Sequence, residues 1–224
     1  MDRILIHGTD LEVSQICFGQ VKLGLRPDET EGMRLLDIFA SLGGNFVDTA
    51  SVYSDWVPGE LHRSERILGD YFHSRGNRDQ FVICTKGCHY DLATKADRVT
   101  PADFIADLES SLKALRTDRI DMYLFHRDDM RMPVAALLEV CEKAKAEGKS
   151  RYYGSSNWRV QRLTAADKAA QEHGFEASPF KYISQKSLSQ FESQIGVSVK
   201  CFIESVHILL SRTGYISIAP FGSG

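Results

Sequence analysis

Four side chains in this sequence are of the right types to reduce a carbonyl together: Asp48, Tyr53, Lys86 and His126. Such a reduction needs a hydride delivered to carbon and a proton delivered to oxygen. A tyrosine hydroxyl can give the proton, but its unperturbed pKa is about 10. A neighbouring ammonium favours the phenolate and draws that value toward working pH. Lys86 is the natural ammonium, and Asp48 can hold it by charge pairing. His126 can hydrogen-bond the substrate oxygen, orient it and help relay a proton. No protein side chain supplies a hydride, so a cofactor must. Each residue alone says little. An Asp or Lys at a strand end is more often an ion-pair partner than a catalyst, and a lone His is usually structural. Their order along the chain is far more specific.

The elements that must position them alternate between short β-rich runs and longer helical patterns. Strands are expected over 11–19, 45–50, 81–86, 120–126, 151–156, 180–185 and 215–219. Helices are expected over 34–42, 60–72, 101–115, 133–148, 160–172 and 199–210. Thr100 can cap the third helix, and Pro101 fits its first turn. Strict alternation means a parallel sheet with helical crossovers. Polar residues mark the ends of many different strands: Asp48, Lys86, His126, Ser156 with Asn157, and Gln185. In a (β/α)8 barrel those ends converge on one mouth. A doubly wound open sheet gathers its ligand contacts mainly at one switch point, and no G-x-G-x-x-G follows the first strand. The expected fold is therefore an α/β TIM barrel. Residues 3–13 read as a preceding segment with a packing role.

Bulk properties exclude other classes. The chain has 224 residues, 43% of them hydrophobic and 25% charged, with a net charge of −3 and no basic block. That leaves no electrostatic footprint for nucleic acid. No run reaches the ~18 apolar residues of a membrane span. Five cysteines at irregular spacing argue against a disulfide framework. The reading is a cytoplasmic protein. No linker, repeat or low-complexity segment splits 1–224, which reads as one domain. Asp128-Asp129 lacks partner ligands for a metal and reads as a solvated loop. Trp56, in the loop after Tyr53, is either core packing or substrate-pocket lining.

The ordered set resembles the aldo-keto reductase family. The matching residues are Gly44 with Asp48-Thr49-Ala50 and Tyr53, Ser64-Glu65 with Leu68-Gly69, and Thr85-Lys86. They continue through Asp121, Tyr123 and His126 to Gly154 with Ser156-Asn157-Trp158. The match covers roughly residues 3–185 and is most similar to bacterial members carrying His-Arg-Asp-Asp after the fourth strand. The resemblance implies Tyr53 as acid–base, supported by Lys86, Asp48 and His126. It implies Ser156 and Asn157 as holders of a nicotinamide carboxamide, with Gln185 making a further contact. It implies NADP(H) as cofactor, a small-molecule carbonyl substrate, and reduction of aldehydes or ketones to alcohols. It also makes 3–13 the hairpin that closes the barrel bottom.

The resemblance thins over 186–214. The place of the family's nicotinamide-stacking aromatic falls on Ile218. Strand starts recur roughly every 30–40 residues and a complete barrel needs ~250. The expectation is thus a barrel lacking its last βα unit, with self-association through the unclosed edge. A second reading is a catalytically impaired nucleotide- or partner-binding module of the same fold.

Overall fold

A computed structural model of the protein describes residues 1–6 and 8–175, with three further strand segments, Phe180–Tyr182, Leu209–Leu210 and Tyr215–Ser217. Gln185 and Ile218 lie outside the described residues. In chain order the elements are β1 (Arg3–Leu5), β2 (Glu12–Ser14), β3 (Cys17–Gly19), α1 (Glu29–Ser41), β4 (Phe46–Asp48), α2 (Arg63–Arg75), β5 (Val82–Gly87) and α3 (Pro101–Ala114). They continue with β6 (Ile120–Phe125), α4 (Val134–Ala146), β7 (Ser150–Ser156), α5 (Val160–His173), β8 (Phe180–Tyr182), β9 (Leu209–Leu210) and β10 (Tyr215–Ser217).

β1 and β2 pair as an antiparallel hairpin, as expected for 3–13. The other strands form one sheet in the order β3-β4-β5-β6-β7-β8-β10-β9. Pairing is parallel from β3 through β8 to β10, and only β9 runs antiparallel. This is the parallel α/β sheet of a barrel, with β3 and β9 left unjoined among the described residues.

Several elements depart from their expected bounds for local reasons. The strand expected over 11–19 is two strands, because Ser14 leaves the hairpin to bind Asn45 Oδ1 and Ile16 O. α1 begins at Glu29, five residues before the apolar pattern starts. There Asp28 accepts from Glu31 N at 2.9 Å, and Glu29 and Glu31 face the positive helix end. α2 runs on to Arg75 and stops at Gly76, whose φ of 61° suits a residue without Cβ. α3 begins as expected, with a reciprocal Thr100–Asp103 capping box. The helix expected over 199–210 is corrected at its end. Leu209–Leu210 is extended and pairs with Ser217 and Ile216, since a short apolar run serves either period and a strand partner decides it. The rest of that helix lies outside the described residues.

Two apolar layers follow from alternation along the strands. Cys17, Phe46, Val82, Cys84, Met122 and Leu124 point inward and meet Leu11 and Val13 of the hairpin region. Val47, Ile83, Tyr123, Phe125 and Tyr153 point outward under the helices. Packing is close where the helices meet, since a Cβ on Gly69 would lie 2.4 Å from Ala114 O. No helix among the described residues is long and apolar enough to cross a membrane.

Candidate active site

The inward rows of the sheet end in polar side chains. Phe46 leads two residues on to Asp48, Val82 and Cys84 to Lys86, Met122 and Leu124 to His126, and Tyr152 to Gly154 and Ser156. Register places Asp48 beside Cys84 and Lys86 beside Leu124, so the period of two delivers these side chains to one end and one face of the sheet. The turn after β4 extends the ladder. Thr49 N donates to Cys84 O and Ser51 N to Lys86 O, both at 2.9 Å. Tyr53 N then closes a turn onto Ala50 O at 3.0 Å, which brings the phenol back over Lys86.

The sequence-expected catalytic set is thus assembled. Lys86 Nζ donates to Asp48 Oδ1 at 2.7 Å, to Thr49 O at 2.8 Å and to Tyr53 Oη at 3.3 Å. An ammonium has three N–H bonds, and three acceptors lie within reach. Lys86 and Asp48 are each only 2% exposed. The His126 ring stands edge-on to Tyr53, 5.7 Å between centroids. His126 Nδ1 is buried and has no hydrogen-bond partner among the described residues.

Electrostatics sharpen the roles. Burial alone would pull the Lys86 ammonium down, but Asp48, helped by Tyr53, raises it well above its ordinary value. It stays charged. Burial pushes the Tyr53 phenol above its ordinary value, while Lys86 pulls it down and Asp48 pushes it up. Lys86 thus pulls the phenol in the expected direction, and burial outweighs it in the protein alone. Burial, then the charges of Lys86, His89 and Arg127, hold His126 well below the usual histidine value, so its ring is neutral.

Ser156, buried at the end of β7, and Asn157, with φ of 64°, lie beside this group. Asn157 Nδ2 donates to His126 O and to Ser156 Oγ, each at 3.0 Å. Its amide nitrogen is therefore spent on the histidine strand, and Oδ1 is the atom it can offer a ligand N–H. Hydroxyl and amide oxygen together form the donor–acceptor set that a carboxamide requires. Cys88 has φ of 59° two residues past Lys86. Backbone strain at strand ends of this kind is a mark of built sites.

Among the bracing residues, Glu65 and Trp158 belong to the matched set, and Arg162 escaped sequence reasoning. Buried Glu65 accepts from Thr85 Oγ1 at 2.6 Å, and its other oxygen meets His62 Nδ1 at 2.9 Å. It braces the Lys86 strand from behind. Arg162, 6% exposed on α5, binds Asp128 Oδ1, Asp129 O and Met132 O. Asp128 is thus a loop anchor, not a solvated charge. Trp158 Nε1 donates to Arg127 O at 3.0 Å, so Trp158 holds the same loop. Trp56 is half exposed at the rim. Only a long-range contact identifies Arg162, and no local spacing signals one. Among the described residues no group of three His, Cys, Asp or Glu is placed to hold a metal, and Cys17, Cys84, Cys88 and Cys141 are buried and free.

Comparison with known proteins adds relatives. The model of the aldo/keto reductase family matches residues 15–184. An uncharacterized oxidoreductase of Bacillus subtilis (strain 168), YrpG, is 30% identical over 181 residues, 78% of this chain and 55% of its own length. The aryl-alcohol dehydrogenase [NADP(+)] of Phanerodontia chrysosporium is 28% identical, covering 92% of this chain and 56% of its own. The holo form of aldo-keto reductase AKR11C1 from Bacillus halodurans superposes with a TM-score of 0.66 at 26% identity, covering 89% of this chain and 65% of that one. The chain spans about half the length of the curated relatives it matches.

Proposed function

This chain belongs to the aldo/keto reductase family, and from that premise we propose that it reduces aldehydes or ketones to alcohols with NADPH, Tyr53 serving as the general acid. One observation carries the reading. A buried ammonium, fixed by Asp48, donates to Tyr53 Oη beside a neutral histidine. An oxygen that accepts from Lys86 must aim its own hydrogen elsewhere, and the His126 ring stands edge-on to the Tyr53 ring.

A nicotinamide supplies the hydride when bound, and Ser156 Oγ with Asn157 Oδ1 would hold its carboxamide. The remaining work belongs to side chains. His126 donates to the carbonyl oxygen and orients it toward Tyr53. Tyr53 keeps its proton through neutral pH, because burial raises it, and so can give it up. Lys86 then faces the phenolate that remains and stabilises it by charge. Lys86 donates without losing its own proton, since Asp48 holds it charged. Val21, Trp56, Leu61 and Met130, exposed on loops, suit an aromatic or otherwise apolar substrate body.

The test adds NADPH and benzaldehyde and follows the nicotinamide absorbance. Turnover that Tyr53→Phe lowers by about 10²–10⁴-fold supports the reading. Nucleotide binding without turnover in the parent chain supports the binding-module alternative instead. Neither binding nor turnover overturns both.

A further inference from the structure

Beside the catalytic group sits a cluster of positive charge that the chemistry above does not use. Arg127 follows His126 directly, and its Nη2 donates to His89 Nε2 at 3.2 Å. His89 Nδ1 faces Tyr90 O at 3.0 Å. A carbonyl can only accept, so Nδ1 carries the proton and Nε2 is the acceptor. His89 therefore holds the guanidinium without neutralising it. The His89 and His126 rings are 4.8 Å apart, which sets Arg127 one ring away from the reacting carbonyl. Arg127 lies 5.4 Å and Lys95 5.3 Å from the centroid of Tyr90.

Neither cation has a carboxylate within ion-pair distance among the described residues. The acids around them are already engaged. Asp128 pairs with Arg162, Asp129 with Arg131 and Asp107 with Arg98. Asp91 is turned back onto Ala93, Thr94 and its own loop. Arg127 Nε is buried with no hydrogen-bond partner among the described residues. Bringing two like charges to one ring costs Coulomb energy, and the cation–π contacts offset only part of it. The platform is nevertheless rigid. Trp158 fixes Arg127 O, Asn157 fixes His126 O, and Arg162 fixes the loop beyond. A guanidinium whose Nη2 is held by neutral His89 keeps further N–H groups on its fork, the geometry that recognises a planar anion.

We propose that Arg127, held by His89 and joined by Lys95, receives an anionic group on the substrate, so that carbonyl compounds carrying a carboxylate are the preferred class. This rests on the reductase reading for the word substrate, but its test needs no turnover. The full chain is titrated with benzoate and separately with benzyl alcohol, following tryptophan fluorescence, because Trp158 touches the Arg127 backbone. Benzoate binds at least about tenfold more tightly than benzyl alcohol, as a charge-assisted fork requires. Arg127→Gln removes that preference, Arg127→Lys restores part of it, and the exposed Lys95→Gln reduces it by about twofold to threefold. Equal or absent binding of the two probes by the parent chain overturns the proposal. So does a preference that survives Arg127→Gln. NADP⁺ is titrated in parallel. If Arg127→Gln weakens NADP⁺ more than benzoate, the guanidinium serves a cofactor phosphate and the proposal falls. A chain that binds benzoate selectively yet turns nothing over keeps this inference and loses the reductase one.

Discussion

At the N-terminal face of the sheet, Asp121 Oδ2 accepts from Arg78 Nη2 and from Ile83 N, each at 2.9 Å, and Oδ1 accepts from Arg151 Nη1 at 3.1 Å. Arg78 continues to Phe81 O and Arg119 O, and Arg151 to Asp10. At the C-terminal mouth, Lys86 meets Asp48 and Tyr53, while Gln20 and His126 directly follow strand ends, Arg127 comes next after His126, and all three carry buried polar atoms unpartnered among the described residues. Both ends bury charge. At the bottom the acid is tied to backbone and to two arginines, so it ends in structure. At the mouth the chain of partners stops at buried atoms that have no hydrogen-bond partner among the described residues. Unmatched buried polar groups are costly, and they persist where a ligand completes them.

The largest expected effect is at the mouth. On the proposed reading, Lys86→Met removes the charge that stabilises the phenolate and should lower kcat/KM for an aldehyde by about a thousandfold or more. It also strands the Asp48 carboxylate, which should cost about 3–5 kcal/mol in urea unfolding. The double variant Lys86→Met with Asp48→Asn should regain most of that stability and none of the activity. If the double variant regained activity, the pair would be architectural.

Next is the bottom. Asp121→Ala leaves Arg78 and the Ile83 amide without their acid and should cost about 3–5 kcal/mol. The rate per folded molecule should not change. A rate loss comparable to the stability loss would erase the distinction between the two ends.

Proton linkage offers a smaller test. His89 and His126 are both depressed, each chiefly by burial. Below about pH 6.5 the unfolded chain binds protons at these positions that the native chain does not. Stability should therefore fall as pH drops from about 6.5 toward the native values, by up to about 1.4 kcal/mol per pH unit for each group. His62 works the other way. Burial lowers it, yet Glu65 leaves it raised overall, so its contribution is present below about pH 6.5 and is lost as pH rises through its native value. His126→Gln should flatten the acid limb in denaturant midpoints measured between pH 7.5 and 5.5. An unchanged slope would mean the mouth is not the source.

The sequence revealed more of the mouth than of the bottom, and the reason is physical. The candidate catalytic side chains Asp48, Lys86 and His126, and the candidate cofactor contact Ser156, sit at the ends of period-two rows, so they can be located once the strands are. Tyr53 needs only the short turn after β4. The bracing contacts do not follow a period. Arg162 reaches 34 residues back to Asp128, and Arg78 reaches 43 forward to Asp121. Such pairs depend on which loop faces which helix, and only the assembled fold decides that. The start of α1 was hidden because capping by Asp28 acts through a polar stretch with no apolar period. The end of the 199–210 helix went to β9 because a strand partner outweighed a short apolar run.

The smallest expected effect sits on neither face and so calibrates the other two. Thr100 Oγ1 accepts from Asp103 N at 3.1 Å while Asp103 Oδ2 accepts from Thr100 N at 3.0 Å. Thr100 is exposed and Asp103 partly so, and α3 packs its buried side on β5 and β6 through Phe104, Leu108 and Leu112. Thr100→Ala removes one reciprocal cap bond but leaves that packing, so it should cost about 1 kcal/mol. Asp103 also meets Arg98 at 3.6 Å, which keeps its carboxylate near the helix start after the threonine is gone. Activity per folded molecule should not move, because α3 touches Lys86 only through the backbone of its strand. There is one point where that separation is thin. A Cβ on Gly87 would lie 2.1 Å from Tyr123 Oη and 2.8 Å from Asp107 Cβ, so the Lys86 strand is pressed against the α3 layer. If Thr100→Ala lowered kcat/KM as well as stability, helix position would be reaching the ammonium through Gly87, and the mouth would be mechanically coupled to its scaffold.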